Sequence, residues 1–203
     1  RKRVKWPGSA AVIVSVLHIR KGEAVMKPRL DGRDVERITA FLFHAGDHDD
    51  PLPLRENAGK SFQGSIVLGV GFTFDDGNPE ASPIAEMQRL IAKNPKNAER
   101  IFPYIGGEEV NDSPTHAHHR YVINFGEMSE EEARTGWPDL LAIVERNIKG
   151  KRASHSTASW WHFERLRPEL YESIRGLDRV LVTPGVSKHS NFAFVSSKQV
   201  FSH

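Results

Sequence analysis

The chain is 203 residues long, 38% hydrophobic and 27% charged, which leaves room for one sizeable core, or for one domain with an appended segment. That composition excludes a disordered chain, no apolar run approaches a bilayer-spanning length, and nothing reads as a signal peptide. A net charge of +2 is close to balance, so bulk electrostatics announce no nucleic-acid partner. The absence of cysteine removes disulfides, thiol catalysis and cysteine-ligated zinc, and suits a cytoplasmic protein.

The chain opens on Arg1, Lys2, Arg3, Val4, Lys5, Trp6, Pro7 and Gly8 without an initiator Met, then enters an apolar run closed by His18. Residues 10–19 read as a buried strand, followed across Lys21 and Gly22 by a second strand at 24–29. So early a core strand suggests a piece of a larger protein whose remainder holds the chemistry. A third strand is expected over 35–43, with Ile38, Ala40 and Leu42 on one face. A polar loop over 44–62 contains Pro51 and Pro53. Residues 65–74 are strand-like, with Gly69 and Gly71 permitting a bulge or a close backbone approach.

Then the period changes. Ser82 as cap and Pro83 as first residue predict a helix with Ile84, Met87 and Ile91 on one face, ended by Asn94 and Pro95. A loop holding Pro103, Gly106 and Gly107 leads to a strand at 120–125. Ser129 and Glu132 have capping-box spacing. A helix from Pro138 carries Leu140, Leu141, Val144 and Ile148 on its apolar face, and Pro168 opens a short helix to about Arg175. Strands at 179–183 and 191–196 are joined by a loop over 184–190. No internal repeat is visible. The expected class is α+β: mostly antiparallel or mixed sheet, strand-rich, with a few short helices.

Basic residues gather between Arg146 and Arg167, with Lys149, Lys151, Arg152 and Arg165 beside His155 and His162, and interleaved with Trp160, Trp161 and Phe163. Cations among aromatics and small hydroxyls suit a phosphate backbone with nearby bases. The alternative is a solvated helix end followed by an aromatic core cluster. Were Trp160 and Trp161 on a strand, they would face opposite ways.

Gly59, Lys60 and Ser61 resemble the end of a phosphate-binding loop, but Leu54 stands where that pattern needs glycine, and a strand rather than a helix follows. His116, His118 and His119 with Asp112, and His44 and His48 with Asp47, Asp49 and Asp50, suggest metal clusters. Both sit in loops, and a polar loop is the preferred reading of each. Pro138, Asp139 and Glu145 evoke a metal-dependent nuclease, but Asn147 replaces its lysine. There is no nucleophile elbow and no glycine-rich dinucleotide turn, so the chain lacks an active-site signature.

Three stretches together resemble the C-terminal part of the single-chain DNA methyltransferases of type II restriction–modification systems, the type IIG and MmeI-like enzymes. The first runs from Lys5, Trp6, Pro7 and Gly8 through Val12, Ile13, Val14 and Val16 to His18. The second is Pro103, Tyr104, Ile105, Gly106, Gly107, Glu108, Glu109, Val110 and Asn111 with the strand at 120–125. The third is 161–167 running into 178–186 and 191–195. The resemblance implies that residues 1–43 are trailing strands of a methyltransferase domain, or their junction, and that 44–203 form a target recognition domain. The parent would bind S-adenosylmethionine and methylate an adenine turned out of the helix. This chain has neither the Asn-Pro-Pro-Tyr motif nor a cofactor-binding strand, so it is expected to be catalytically inactive and to hold duplex DNA for the methyltransferase domain.

On that reading Lys60, Lys149, Lys151, Arg152 and Arg165 contact phosphates, with Ser61 beside them. Loops near Gln63, His155, Lys188, His189 and Asn191 contact bases, where Lys suits guanine and Asn suits adenine. Arg120 either points to DNA or pairs with Glu108 or Glu109. No metal is expected, no cofactor within this stretch, and no membrane partner. Two other readings stand: a protein-interaction domain, favoured by the near-neutral charge, and a small hydrolase using a histidine of the 116–119 loop.

Overall fold

The chain divides into two units, Arg1–Ala58 and Gly59–His203. The computed structural model describes residues 4–6, 8–9, 12–22, 26–44, 58–151 and 156–203.

In the first unit, strands β1 (Val4–Lys5) and β2 (Ile13–Val14) pair antiparallel, as do β3 (Arg29–Leu30) and β4 (Arg33–Asp34). The expected long strands at 10–19, 24–29 and 35–43 are not formed in the described residues. What fails them is burial, since a strand needs a second layer. Leu30 and Thr39 are the buried residues described here, while Ile13 and Ile19 are 74% and 92% exposed. The tight hairpin lies at Asp31 and Gly32, with φ of 49° and 87°, the paired left-handed geometry that Asp-Gly favours, and not at Lys21 and Gly22. Residues 39–43 close a turn, with Leu42 N–H donating to the Thr39 carbonyl and Thr39 N–H to that of Phe43.

The second unit is built on a four-stranded mixed sheet. Strands β5 (Thr73–Phe74), β6 (Ile101–Ile105), β7 (Arg120–Ile123) and β10 (Val200–Phe201) take the order β10-β6-β7-β5. All pairs are antiparallel except β10 with β6. Helices α1 (Ile84–Lys93), α2 (Gly107–Asp112), α3 (Glu130–Gly136), α4 (Pro138–Ile148) and α5 (Pro168–Ser173), with the hairpin β8 (Arg179–Val182) and β9 (Ala193–Ser196), complete it. The class is α+β, as expected. The strands are shorter than the runs read for them, so helices account for more residues than strands.

Local signals explain the helices. Ser129 Oγ accepts the Glu132 N–H and the Glu132 carboxylate accepts the Ser129 N–H, the reciprocal cap expected. Pro138 opens α4, whose Leu140, Leu141, Val144 and Ile148 are buried. Ser82, however, does not cap α1. It bridges Phe74, its N–H donating to Thr73 and its carbonyl accepting from Asp75. The Asp76 carboxylate receives the first helical N–H, from Ile84, at 2.8 Å.

Two cores follow. The larger holds Phe72, Phe74, Val122, Ile123, Phe125, Leu140, Leu141, Val144 and Phe163. The smaller joins Ile105, Val110, Leu170, Ala193, Val195 and Phe201. Neighbours Tyr104 and Ile105 on β6, and Val200 and Phe201 on β10, divide between them, as alternation along a strand requires.

The expected strand at 65–74 survives only at its ends. Ser65 bridges Ser202 and Ile66 bridges Arg165, after which Leu68 and Gly69 both take positive φ, 51° and 87°, breaking the extended run. Thus residues 67–72 carry the chain from beside β10 to β5 at the opposite edge of the sheet. A Cβ on Gly64 would lie 2.3 Å from the Ser202 carbonyl oxygen, and one on Gly71 2.4 Å from Ile148 Cδ1. Close approach is therefore the reason for glycine at Gly71.

Candidate nucleic-acid interface

Four groups of candidate side chains can be traced to their supports. The first is stitched by main chain. Ile66 and Arg165 exchange N–H to carbonyl bonds at 3.0 and 3.2 Å, so the segment carrying Lys60, Ser61 and Gln63 runs beside the one carrying Arg165 and Arg167. Arg167 Nη2 donates to Gln63 Oε1 at 2.9 Å. Lys60, Ser61, Gln63 and Arg165 are exposed, and the Lys60 and Arg165 side chains have no partner among the described residues. Alongside lies a concavity of about 380 Å³ lined by Thr157, His162, Glu164, Arg165 and Arg167. No helix follows Ser61, in keeping with the rejected nucleotide-loop reading.

The second group follows α4. Lys149 Nζ lies 2.6 Å from Glu145 and 5.1 Å from the centre of the Trp160 ring. Lys151 is exposed, while Arg152 and His155 lie outside the described residues. Trp160 and Trp161 occupy a turn, not a strand, and both pack partly buried on the larger core. Their rings meet edge to face at 5.6 Å, and the Trp161 indole N–H donates to the Met128 carbonyl at 3.0 Å. A shared turn, rather than alternation, therefore orients the pair.

The third group is the tip of the β8–β9 hairpin. Lys188 and His189 are exposed. Asn191 instead turns inward, its amide donating to the Val110 carbonyl at 2.7 Å, and Asn111 returns a bond to the Val186 carbonyl at 3.1 Å. These two bonds dock the tip on α2.

The fourth group centres on Arg120, at the start of β7. Of its two expected roles, pairing is the one formed. Nε and Nη2 donate to the Glu109 carboxylate at 2.7 and 3.0 Å, and Glu108 lies 3.7 Å away. The Glu109 side chain is fully buried and also accepts the Gly106 N–H at 2.8 Å. Burial works against its ionisation, but the Arg120 and Gly106 bonds outweigh that and hold its carboxyl below the usual range. Burial likewise opposes the Arg120 charge, and Glu109 more than restores it. Burial pushes the Tyr104 hydroxyl up, although it donates to Ser202 Oγ at 2.9 Å.

His119 Nδ1 stands 3.3 Å from Glu109, while the His118 ring meets Tyr121 edge to face. Among the described residues no three His, Asp or Glu side chains converge as a metal site. Of the acidic loop's cluster only His44 is described. The second group meets the first where the Trp161 ring lies 5.1 Å from that of His162, in the lining of the concavity. The role of Arg167 in holding Gln63 is missed from sequence, because its signal lies in pairing across a hundred residues.

No protein-family model and no curated protein matches the chain. Among solved structures it is similar to the Type IIL restriction–modification enzyme MmeI, determined in complex with DNA, at 17% identity and a TM-score of 0.47. The likeness covers 84% of this chain and 22% of that one, so the chain spans about a fifth of that protein's length.

Proposed function

We propose that the chain is a DNA-sequence recognition module of an adenine-specific restriction–modification methyltransferase. It holds duplex DNA for a catalytic part that binds S-adenosylmethionine. The observation that carries this is the pair of adjoining segments that hold Lys60, Ser61 and Gln63 on one side and Arg165 on the other, the Lys60 and Arg165 side chains having no partner among the described residues. Exposed cations without a carboxylate partner among the described residues suit phosphate oxygens. The reading also draws support from the second and third stretches of the sequence resemblance, which meet through the Asn191 and Asn111 bonds between hairpin and α2. On it, the exposed Lys188 and His189 at the hairpin tip supply base contacts.

A second reading, a protein-interaction domain, is favoured by the outer face of the hairpin. There Leu181 and Phe194 form a cross-strand pair, 56% and 62% exposed. Titration of labelled duplexes across a salt series separates the two. A DNA module loses affinity steeply as salt rises, and Lys60→Ala or Arg165→Ala each flattens the log–log slope by about 0.9. Failure to bind any duplex at low salt, or binding indifferent to salt, overturns the proposal.

A further inference from the structure

Residues 65–70, where the chain leaves β10 for the opposite sheet edge, border a cleft of about 300 Å³, with Leu68, Gly69, Val70, Asp75, Asn78 and Arg120 in its lining. Three observations single it out. Its corner is strained: Leu68 holds φ of 51°, next to Gly69 at 87°, a conformation a bulky residue seldom adopts without a functional reason. Its main chain is unspent, because no N–H of the lining residues 67–70 has a partner among the described residues, although Val67 is buried and buried N–H groups are nearly always paired. Its Arg120 is held rigid from behind by Glu109 through Nε and Nη2, leaving Nη1 without a partner among the described residues.

The charges decide what fits. Glu109 neutralises Arg120, so Asp75 leaves the cleft with an acidic side, which disfavours a phosphate. Asp75 is 9% exposed, and one carboxylate oxygen accepts the Gly77 N–H at 2.8 Å, leaving the other oxygen as an acceptor. The Asn78 amide nitrogen has no partner among the described residues, since its oxygen takes the Glu80 N–H. The cleft lining thus includes both N–H groups unpaired among the described residues and a carboxylate acceptor, at the size of the smallest ligand pockets, about 300 Å³. We infer that this cleft is a binding site for a guanine-type base, its ring and exocyclic N–H groups meeting Asp75 and its carbonyl meeting the Leu68–Val70 amides and Arg120. This goes beyond the duplex-binding reading and does not need it. The base comes either from a free nucleotide or from an unpaired guanine in DNA.

The test is amide-resolved NMR on the full chain. Guanosine monophosphate is titrated against the adenosine, cytidine, thymidine and inosine monophosphates. The expected result is selective movement of the 68–70 amides by guanosine monophosphate, about tenfold weaker binding of inosine monophosphate, which lacks the exocyclic amine, and a similar loss in Asp75→Asn. That variant keeps the acceptor for Gly77, and the inosine comparison needs no variant at all. A duplex carrying one bulged guanine, set against its fully paired counterpart, identifies the source. Movement of the same amides by the bulge marks an unpaired base, and movement by the mononucleotide alone marks a small-molecule site. Unmoved amides, or equal response to all the bases, overturn the inference. If they stay unmoved while the paired duplex binds in a salt-dependent way, the cleft inference fails and the DNA reading stands.

Discussion

Removing the Glu109 carboxylate strands a part-buried charge on Arg120. The side chain is fully buried, accepts two bonds from Arg120 and one from the Gly106 N–H, and has no solvent to replace it. Breaking a buried pair from one side costs about 3–5 kcal/mol, because the remaining charge stays desolvated. Arg120 retains 20% side-chain exposure and has Glu108 at 3.7 Å as a second carboxylate, which places Glu109→Ala near the lower end, about 3 kcal/mol. For a chain of this size that lowers Tm by roughly 6–12 °C, read by circular dichroism with urea melts alongside. Replacing both partners, Glu109→Leu with Arg120→Leu, restores much of the loss, since no lone charge remains.

The pH dependence has a fixed sign. Glu109 titrates lower in the folded state than in the unfolded chain, so its contribution is complete above the unfolded carboxylate value of about 4.3 and is lost as pH falls through the lower folded value. Glu109→Ala therefore flattens the acid limb of the stability curve. A single-variant loss under about 1 kcal/mol, or a double variant as weak as the sum of the singles, refutes the reasoning.

Two further outcomes follow from local geometry. Ser129→Ala removes the acceptor for the Glu132 N–H and lowers stability by about 1 kcal/mol in urea melts, and Ser129→Asp recovers most of it. Gly71→Ala drives a methyl against Ile148 and costs about 1–3 kcal/mol. Adding Ile148→Val rescues part of that loss in a double-mutant cycle, and strict additivity counts against the contact.

Features specified within a few residues are legible in the sequence. The Ser129 and Glu132 cap, Pro138 at the start of α4, Pro168 at the start of α5 and the alternation of β8 and β9 each announce themselves locally, and each forms. Strand β10 is two residues long and is defined by remote partners, in β6 and, still farther back along the chain, at Ser65, which no local window contains. Pro103 argues against a strand at 101–105, yet it sits opposite Tyr121 in β6, where the neighbouring residues supply the ladder. In the first unit the apolar runs promise strands, but among the described residues too little is buried there to hold them. Candidate cations are legible as composition. Which of them is already engaged is legible only in part: Lys149 with Glu145 is an i,i+4 pair and Arg120 with Glu109 is one of two expected roles, but Arg167 reaches Gln63 through a contact that only the fold creates.

The bridges from Ser65 to Ser202 and from Ile66 to Arg165 carry a kinetic consequence. A sheet closed by partners so remote in sequence has high contact order, and its completion is slow relative to that of its helices. During synthesis, α1 through α4 emerge and form early, while the strip around Ser65 waits for residues near 200 to leave the ribosome. Until then the edge of β6 destined for β10 stands open to pairing with another chain, which makes chaperone protection most valuable before residues near 200 have left the ribosome.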